Sequence, residues 1–403
     1  MDAYNYIIAG CVIVIASYIF NIIAQSLKIP AVLLLIGTGI GINYMVSYYG
    51  VNFYLEKDAL SILGTIGLIL IVLEGSLDLK LDQERKKLIN NSLLISLVMM
   101  LLTSFAVAFA LQFFTKAPFI SNLMYAIPLA VISSAIVIPS VHGMDGHKKE
   151  FMIYEATFSD IVGIVFFYLF AFYNIMTLSG IATFLGSFVA TLALSLVFSL
   201  VLLFALDKIK LETKIFFLFS ILVLVFAVGK KLHLSSLILI LAFGLILNNT
   251  HLIKNTKLGK YFNDQNLQDG LNQFKIITFE LSFFVRTMFF VMFGFSMNLE
   301  SLLDTNTILM GVVSSALVFA IRFAILKLMK RDKHGIFPEI LIAPRGLITI
   351  LLYLSIPAQY IIPEISEGVL LFVIIVSVLA MMVGLMSTPD THAPDTLKRP
   401  EEY

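Results

Sequence analysis

Two carboxylates, Glu155 and Asp160, lie five residues apart in the apolar stretch YEATFSDIVGIVFFY, residues 154–168. A charged side chain at the centre of a bilayer costs roughly 2.5–3.5 kcal/mol on insertion scales. Five residues of α-helix rotate a side chain by about 140°. The two carboxylates therefore point to different sides of the helix, and each needs its own counter-charge, proton or bound cation.

The composition identifies the environment of these acids. Hydrophobic residues make up 59% of the 403, charged residues only 13%, and the mean hydropathy is +0.97. Such a chain is typical of an all-α polytopic membrane protein whose main partner is the lipid bilayer. The single cysteine, Cys11, excludes an internal disulfide and a Cys-rich metal site.

Since a helix needs about 20 mainly apolar residues to span a bilayer, we predict thirteen transmembrane spans. They cover residues 4–26, 29–47, 59–77, 88–113, 122–142, 151–173, 180–206, 214–230, 234–249, 276–299, 307–329, 336–356 and 365–386. A short tail, 387–403, follows and is expected to be disordered and cytoplasmic.

Orientation follows from the distribution of Lys and Arg. The loops after the odd-numbered spans, with the tail, hold 20 of the 27 basic residues, whereas the opposite loops hold four. Cytoplasmic loops carry the excess of basic residues. We therefore predict an N-terminus outside and a C-terminus in the cytoplasm.

Thirteen spans also fit two inverted six-helix repeats joined by a linking helix. Under that pairing span 5 corresponds to span 12, and both contain prolines, in IPLAVISSAIVIPS and FPEILIAPRGLIT. Proline-interrupted segments at corresponding positions of two halves indicate broken helices that cross at a midplane site.

Depth brings polar residues of four spans into one layer. At about 1.5 Å rise per residue, Asp160 lies roughly 14 Å from the cytoplasmic edge, and Arg286 and Arg345 lie at about the same depth. Ser133 and Ser134 on span 5 reach that layer from the other side.

Glu155 lies about one and a half turns nearer the cytoplasm than Arg286, so we predict that these two form a buried structural salt bridge. Asp160 then has no certain partner. It can be protonated, because an apolar environment disfavours the charged form, or it can hold an alkali cation together with hydroxyls and carbonyls. These two states exclude each other, which predicts a proton/cation exchanger with no enzymatic activity.

The sequence EATFSD (155–160) resembles the E-S-x-x-N-D helix of the monovalent cation/proton antiporter superfamily, in its sodium/proton exchanger branch. LKIPAVLLLIGTGIGIN, LIVLEGSLDL, FFVRTMFFVMFGFSMNL and APRGLIT resemble further helices of that family, in the expected order. The resemblance implies a transmembrane antiporter domain over 1–386. Spans 3–6 and 10–13 would form its core, and spans 1–2 and 7–9 its scaffold and dimer surface.

The resemblance also implies that Asp160 carries the ion and the proton, that Glu155 pairs with Arg286, and that the protein is a homodimer. Sodium is the expected cation, with lithium as a second, and no cofactor is needed. Ser159, Thr157, Ser134 and Ser133 are the candidate ligands beside Asp160, all of them hydroxyls. A bacterial plasma membrane is the expected location.

Two departures from the family pattern bear on selectivity. Ser159 replaces the family's Asn, and SSAIV (133–137) replaces its T-D-P, so no second carboxylate is present there. One acid in place of two favours electroneutral exchange. The SSAIV sequence is closer to the potassium-efflux branch, which leaves a K⁺/H⁺ antiporter of the same fold as the alternative.

Further charged residues and a glycine-rich stretch have structural interpretations. Glu74 is either an interfacial acid or an ion-entry ligand. Arg345 either neutralises helix ends at the crossing, which is the favoured interpretation, or tunes Asp160, and Arg322 extends to an interface. GTGIG (37–41) lacks the strand and the Lys-Ser/Thr of a nucleotide loop, so it indicates close helix packing. No filter sequence of a channel, no catalytic dyad and no nucleic-acid or nucleotide site is evident.

Overall fold

The computed structural model describes residues 3–27, 29–48, 57–79, 85–141, 144, 146–173, 177–208, 214–231, 236–250, 264–297, 299–329 and 335–387. These residues form fourteen α-helices and two short 3-10 helices, with no strand among them. The prediction of an all-α chain is therefore confirmed. All but one residue of the predicted tail, 387–403, lies outside the described residues.

The α-helices are numbered in chain order. They are α1 (Ala3–Leu27), α2 (Ala31–Tyr48), α3 (Lys57–Asp78), α4 (Lys86–Leu111), α5 (Phe119–Ala130), α6 (Ser134–Ser140), α7 (Gly146–Phe172), α8 (Leu178–Lys208), α9 (Lys214–Lys231), α10 (Ser236–Asn248), α11 (Asp264–Ser296), α12 (Thr305–Met329), α13 (Leu347–Leu354) and α14 (Glu367–Met386). The 3-10 helices are Leu299–Leu302 and Ala358–Tyr360.

Each predicted span overlaps at least one of these helices, and span 5 overlaps two, α5 and α6. The largest difference in bounds is at α11, which begins at Asp264, well before the predicted start at 276. Its first turns, DQNLQDGLNQ, are too polar to be included by a hydropathy criterion. Eight helical stretches of the described chain are long and apolar enough to cross a membrane. The count of thirteen crossings and the inverted repeats stay predictions.

Both proline-containing segments are interrupted, as predicted. Residues 131–133 interrupt the helix between α5 and α6, with Val131 and Ser133 extended, and residues 342–346 are non-helical before α13. The two interruptions meet, because the Ser133 N–H donates a hydrogen bond of 2.9 Å to the Pro344 carbonyl oxygen. Gly346 permits this approach, since a Cβ there would lie 2.6 Å from Ser133 Oγ.

The interruptions leave backbone groups without helical partners, and other elements satisfy them. Arg345 donates from Nε to the Leu129 carbonyl at 2.8 Å and from Nη2 to the Ala130 carbonyl at 3.3 Å, which are the last carbonyls of α5. The Ile132 N–H donates to Ser159 Oγ at 2.9 Å. Non-helical backbone at membrane depth is tolerated only where protein groups or water replace its lost hydrogen bonds. The predicted role of Arg345 at the ends of the crossing helices agrees with these contacts.

The helices pack in two groups. One contains α4–α7 and α12–α14, with α4 lying against α5, α7 and α12; the other contains α1–α3 and α8–α11, with α11 lying against α2 and α3. Spans 3 and 10, predicted as part of the core, correspond to α3 and α11 and pack mainly with the second group. The packing thus departs from the predicted grouping at these two helices, and which helices move together stays a prediction.

Helices α2 and α11 approach closely enough for backbone contact. A Cβ at Gly39 would lie 2.1 Å from the Val291 carbonyl oxygen, and a Cβ at Gly294 would lie 2.2 Å from the Ile36 carbonyl oxygen. Only glycine fits at such a crossing, which is how small residues bring transmembrane helices together. The GTGIG stretch is therefore a packing motif, as predicted.

This contact predicts that Gly39→Ala lowers the apparent melting temperature of the purified protein in detergent. Its methyl group would clash with the α11 backbone, and overpacking of this kind costs about 1–3 kcal/mol. Gly37→Ala, on the same helix, is the control, because nothing lies within 4 Å of a Cβ there. Equal melting temperatures for the two variants would show that the helices do not approach as described.

Candidate cation site at the helix interruptions

Asp160 lies on α7 directly beside the interruption of the α5–α6 segment. Its side chain is buried, with a relative exposure of 6%. Ser134, the first residue of α6, donates two hydrogen bonds to Asp160 Oδ2, from its N–H at 3.1 Å and from its Oγ at 2.5 Å. The predicted proximity of Ser134 and Asp160 is therefore present in the structure.

The other oxygen of the carboxylate, Asp160 Oδ1, is buried and has no hydrogen-bond partner among the described residues. No basic side chain of the described chain forms a salt bridge with Asp160. A buried carboxylate in this condition either accepts a proton or holds a cation. Asp160 is thus the acid without a counter-charge that the sequence predicts.

The remaining predicted hydroxyl ligands differ in their contacts. Ser133 Oγ is buried and without a hydrogen-bond partner among the described residues. Ser159 Oγ accepts the Ile132 N–H, and Thr157 Oγ1 donates to the Ile153 carbonyl of its own helix at 2.8 Å. A hydroxyl that accepts or donates one bond keeps a further lone pair, so these oxygens remain able to coordinate.

The predicted salt bridge between Glu155 and Arg286 is wrong. Glu155 instead binds Arg322 of α12 through both carboxylate oxygens, at 2.8 and 2.9 Å. The side chains of Glu155 and Arg322 are 0% and 2% exposed. The prediction that Arg322 extends to an interface is wrong for the same reason, since its guanidinium is fully buried against Glu155.

The depths estimated from the sequence are also compatible with a pair between Glu155 and Arg322. Arg322 lies seven residues before the end of α12 at Met329, about 10 Å into the helix, and Glu155 lies about 13 Å into α7. Depth alone cannot tell which helices are neighbours. The packing of α4 against both α7 and α12 brings Arg322, rather than Arg286, to Glu155.

Arg286 forms a second ion pair, with Glu74 of α3. Its Nη2 donates to Glu74 Oε2, and its Nη1 donates to the Ala135 carbonyl at 3.2 Å. Both side chains are partly buried, at 15% and 20% exposure for Arg286 and Glu74. Glu74 is thus not a lone interfacial acid. The pair lies beside the site, since Ala135 follows Ser134 and a Cβ at Gly75 would lie 3.6 Å from Ser134 Oγ.

Among the described residues no group of three or more His, Cys, Asp or Glu side chains could hold a metal ion. A hard divalent cation such as Ca²⁺ takes six to eight oxygen ligands and often several carboxylates. One carboxylate with hydroxyls and backbone carbonyls suits a monovalent cation better. The donors present at the site are thus hard oxygen atoms, one buried carboxylate and the hydroxyls beside it.

A double-mutant cycle tests the observed pairing. Glu155→Gln and Arg322→Met should each destabilise the protein by about 3–5 kcal/mol, because each leaves a buried charge without its partner. The double variant should lose much less free energy of unfolding than the sum of the losses in the two single variants. Glu155→Gln with Arg286→Met is the matched control and should be additive. Melting temperatures in detergent measure both cycles, and strong coupling in the control cycle would restore the original pairing.

The sequence matches the family described as "Sodium/hydrogen exchanger, transmembrane" over residues 11–389. None of the curated proteins compared with the chain matches it. Among solved structures, the fold is similar to that of the sodium proton antiporter MjNhaP1 from Methanocaldococcus jannaschii at pH 8, with a TM-score of 0.69 and 18% identity over 96% of this chain and 100% of that chain. An electron-microscopy structure of MjNhaP1 gives a TM-score of 0.67 and 17% identity, over 96% of this chain and 95% of that one. The resemblance stated from the motifs is confirmed, and the chain belongs to the transmembrane sodium/hydrogen exchanger family.

Proposed function

We propose that this protein exchanges a monovalent cation for H⁺ at Asp160 by alternating access. The observation that carries the proposal is the buried Asp160 carboxylate, bonded only by Ser134 and with Oδ1 free of hydrogen bonds among the described residues. A proton and a cation compete for this oxygen. A buried carboxylate with neither a proton nor a cation is energetically unfavourable in either orientation of the site. The movement of the cation and the movement of the proton are therefore coupled.

In the cation-bound state, Asp160 Oδ1 is the charged ligand, and Ser133 Oγ is a buried hydroxyl at the crossing without a hydrogen-bond partner among the described residues. Ser134 holds Oδ2 in place, while Ser159 and Thr157 offer further lone pairs from α7. Ser134 turns its hydroxyl to donate to the ionised carboxylate or to accept from the protonated one. The same residues thereby serve both occupied states.

Glu74 contributes to ion entry only when it is released from Arg286, because their contact neutralises both charges. Arg286 also bonds the Ala135 carbonyl next to Ser134. An approaching cation can therefore replace the guanidinium at Glu74 before it reaches Asp160. Glu155 and Arg322 remain a permanent pair that carries no ion.

Sodium is the proposed cation, with lithium as a second substrate, on the basis of the family. A K⁺/H⁺ antiporter is the alternative, because SSAIV (133–137) provides hydroxyls but no second carboxylate at the α5–α6 interruption. With Asp160 as the one titrating acid, one cation exchanges for one proton and the cycle is electroneutral. No cofactor takes part.

The two packed groups of helices are the proposed moving bodies. Asp160, Ser133 and Ser134 belong to the group of α4–α7 and α12–α14, which would move against the second group. We place the protein in a bacterial plasma membrane as a homodimer, with its N-terminus outside and its C-terminus in the cytoplasm. The distribution of Lys and Arg among the loops supports this orientation.

Asp160→Asn should abolish cation-driven proton movement, because an amide neither releases a proton nor balances a cation. The measurement is the dissipation of a pH gradient in proteoliposomes on addition of Na⁺ or Li⁺. Glu150→Asn, at the exposed cytoplasmic end of the same helix, is the control and should retain transport. Gradient dissipation by Asp160→Asn at the wild-type rate would remove the proposal.

Electroneutral exchange predicts that clamping the membrane potential with valinomycin and K⁺ leaves the initial rate with Na⁺ unchanged. A one-for-one exchange moves no net charge, so the potential does no work on it. A panel of Na⁺, Li⁺ and K⁺, assayed without the ionophore, identifies the cation. Strong acceleration by the clamp would indicate unequal stoichiometry, and activity with K⁺ alone would favour the alternative.

A further inference from the structure

Glu339 is a buried carboxylate that the exchange at Asp160 does not use. It lies in the turn 337–341 that precedes the second interruption, and its side chain is 0% exposed. Its Oε2 lies 3.6 Å from Nζ of Lys148, in the first turn of α7. Burying an acid is tolerable only with a partner that compensates its charge, and Lys148 is such a partner.

Lys148 holds the turn in a second way. Its Nζ donates a hydrogen bond of 2.8 Å to the Phe337 carbonyl oxygen, on the other side of Pro338 from Glu339. The Lys148 side chain is 19% exposed. One ammonium group therefore donates a hydrogen bond to a backbone carbonyl and lies within salt-bridge distance of a side-chain carboxylate of the same short turn.

The same turn is also held from α12. Arg322 Nε donates to the Glu339 carbonyl oxygen at 2.9 Å, while its two Nη atoms bind Glu155. Lys148 and Glu155 are seven residues apart on α7, about two turns, so they lie on one face of the helix. Helix α7 thus holds the turn at two points, directly through Lys148 and through Arg322.

The turn leads straight to the crossing. The non-helical residues 342–346 follow it directly, and the Pro344 carbonyl accepts the N–H of Ser133. Ser133 is followed by Ser134, which donates both hydrogen bonds to Asp160 Oδ2. A displacement of the turn therefore shifts Pro344, and through Ser133 it shifts the donors of Asp160.

We infer that Glu339 and Lys148 form a positioning pair that sets the cation affinity of Asp160 by fixing the stem of the second interruption to α7. Neither residue touches the cation. The inference rests on the proposed exchange at Asp160 and extends it to a specific pair of residues outside the site. The prolines that indicate the crossing in FPEILIAPRGLIT do not single out Glu339, although it lies within that segment.

The test compares the apparent KM for Na⁺, the turnover rate and the melting temperature of variants in proteoliposomes and detergent. Glu339→Gln and Lys148→Met should each raise the KM by about threefold or more, the size expected when residues away from a ligand modulate its affinity. The double variant should resemble the single ones, because the pair acts as one unit. Lys148→Arg, which keeps the charge and the donors, should restore a KM near that of the wild type.

Glu150→Gln is the matched control. Glu150 lies two residues from Lys148 on α7 and forms an exposed salt bridge of 2.6 Å with Arg85, with exposures of 35% and 48%, but it makes no bond to the turn. Its loss should leave the KM unchanged. Should Glu339→Gln fail to fold, the more exposed Lys148→Met provides the same measurement.

A wild-type KM in Glu339→Gln and in Lys148→Met, even with lowered melting temperatures, would overturn the inference and leave the pair a purely structural role. Asp160→Asn is assayed alongside. Transport by that variant would remove the exchange itself, whereas a wild-type KM in the pair variants, with Asp160→Asn inactive, would remove only the positioning role.

Discussion

The hydrogen bond between Ser133 and Pro344 joins two chain segments that cannot satisfy their own backbones. An unsatisfied N–H or carbonyl costs several kcal/mol in hydrocarbon, and both interruptions create such groups. Each supplies what the other lacks: Pro344 accepts from Ser133, and Arg345 donates to the last carbonyls of α5. The two interruptions satisfy each other's backbone groups, and Asp160 lies directly beside them.

Charge compensation explains why Asp160 is different from the other buried acids. Glu155 has Arg322, Glu74 has Arg286 and Glu339 has Lys148. Each of these acids is neutralised by a fixed cation within the protein. Asp160 has hydroxyl and amide donors on one oxygen and none on the other, and no basic side chain of the described chain pairs with it.

The sequence predicts those features that depend on position along a helix, and therefore on depth in the membrane. Hydropathy and the helical rise place Asp160 and Ser134 at one depth, and the prolines of the two segments indicate both interruptions. Lateral neighbours depend on helix packing, which no single helix encodes. Glu155 was therefore assigned to Arg286 at a compatible depth, while Arg322, equally compatible, was assigned to an interface. The polar start of α11 was missed because a hydropathy criterion excludes helical turns that are not apolar.

The hydrogen bonds of Arg345 have a consequence for how the site presents itself to the two aqueous compartments. Its planar guanidinium binds the end of α5 to the non-helical residues that precede α13. Ser134 binds α6 to α7, so Asp160 and its hydrogen-bond donors belong to one group of packed helices. Under the proposed exchange, such a group would keep the ligands of the cation together as it moves and would not have to reassemble them on the other side of the membrane. Its intrinsic preference among ions would then be the same whichever face of the membrane it opens to, and any directionality would come from concentrations alone.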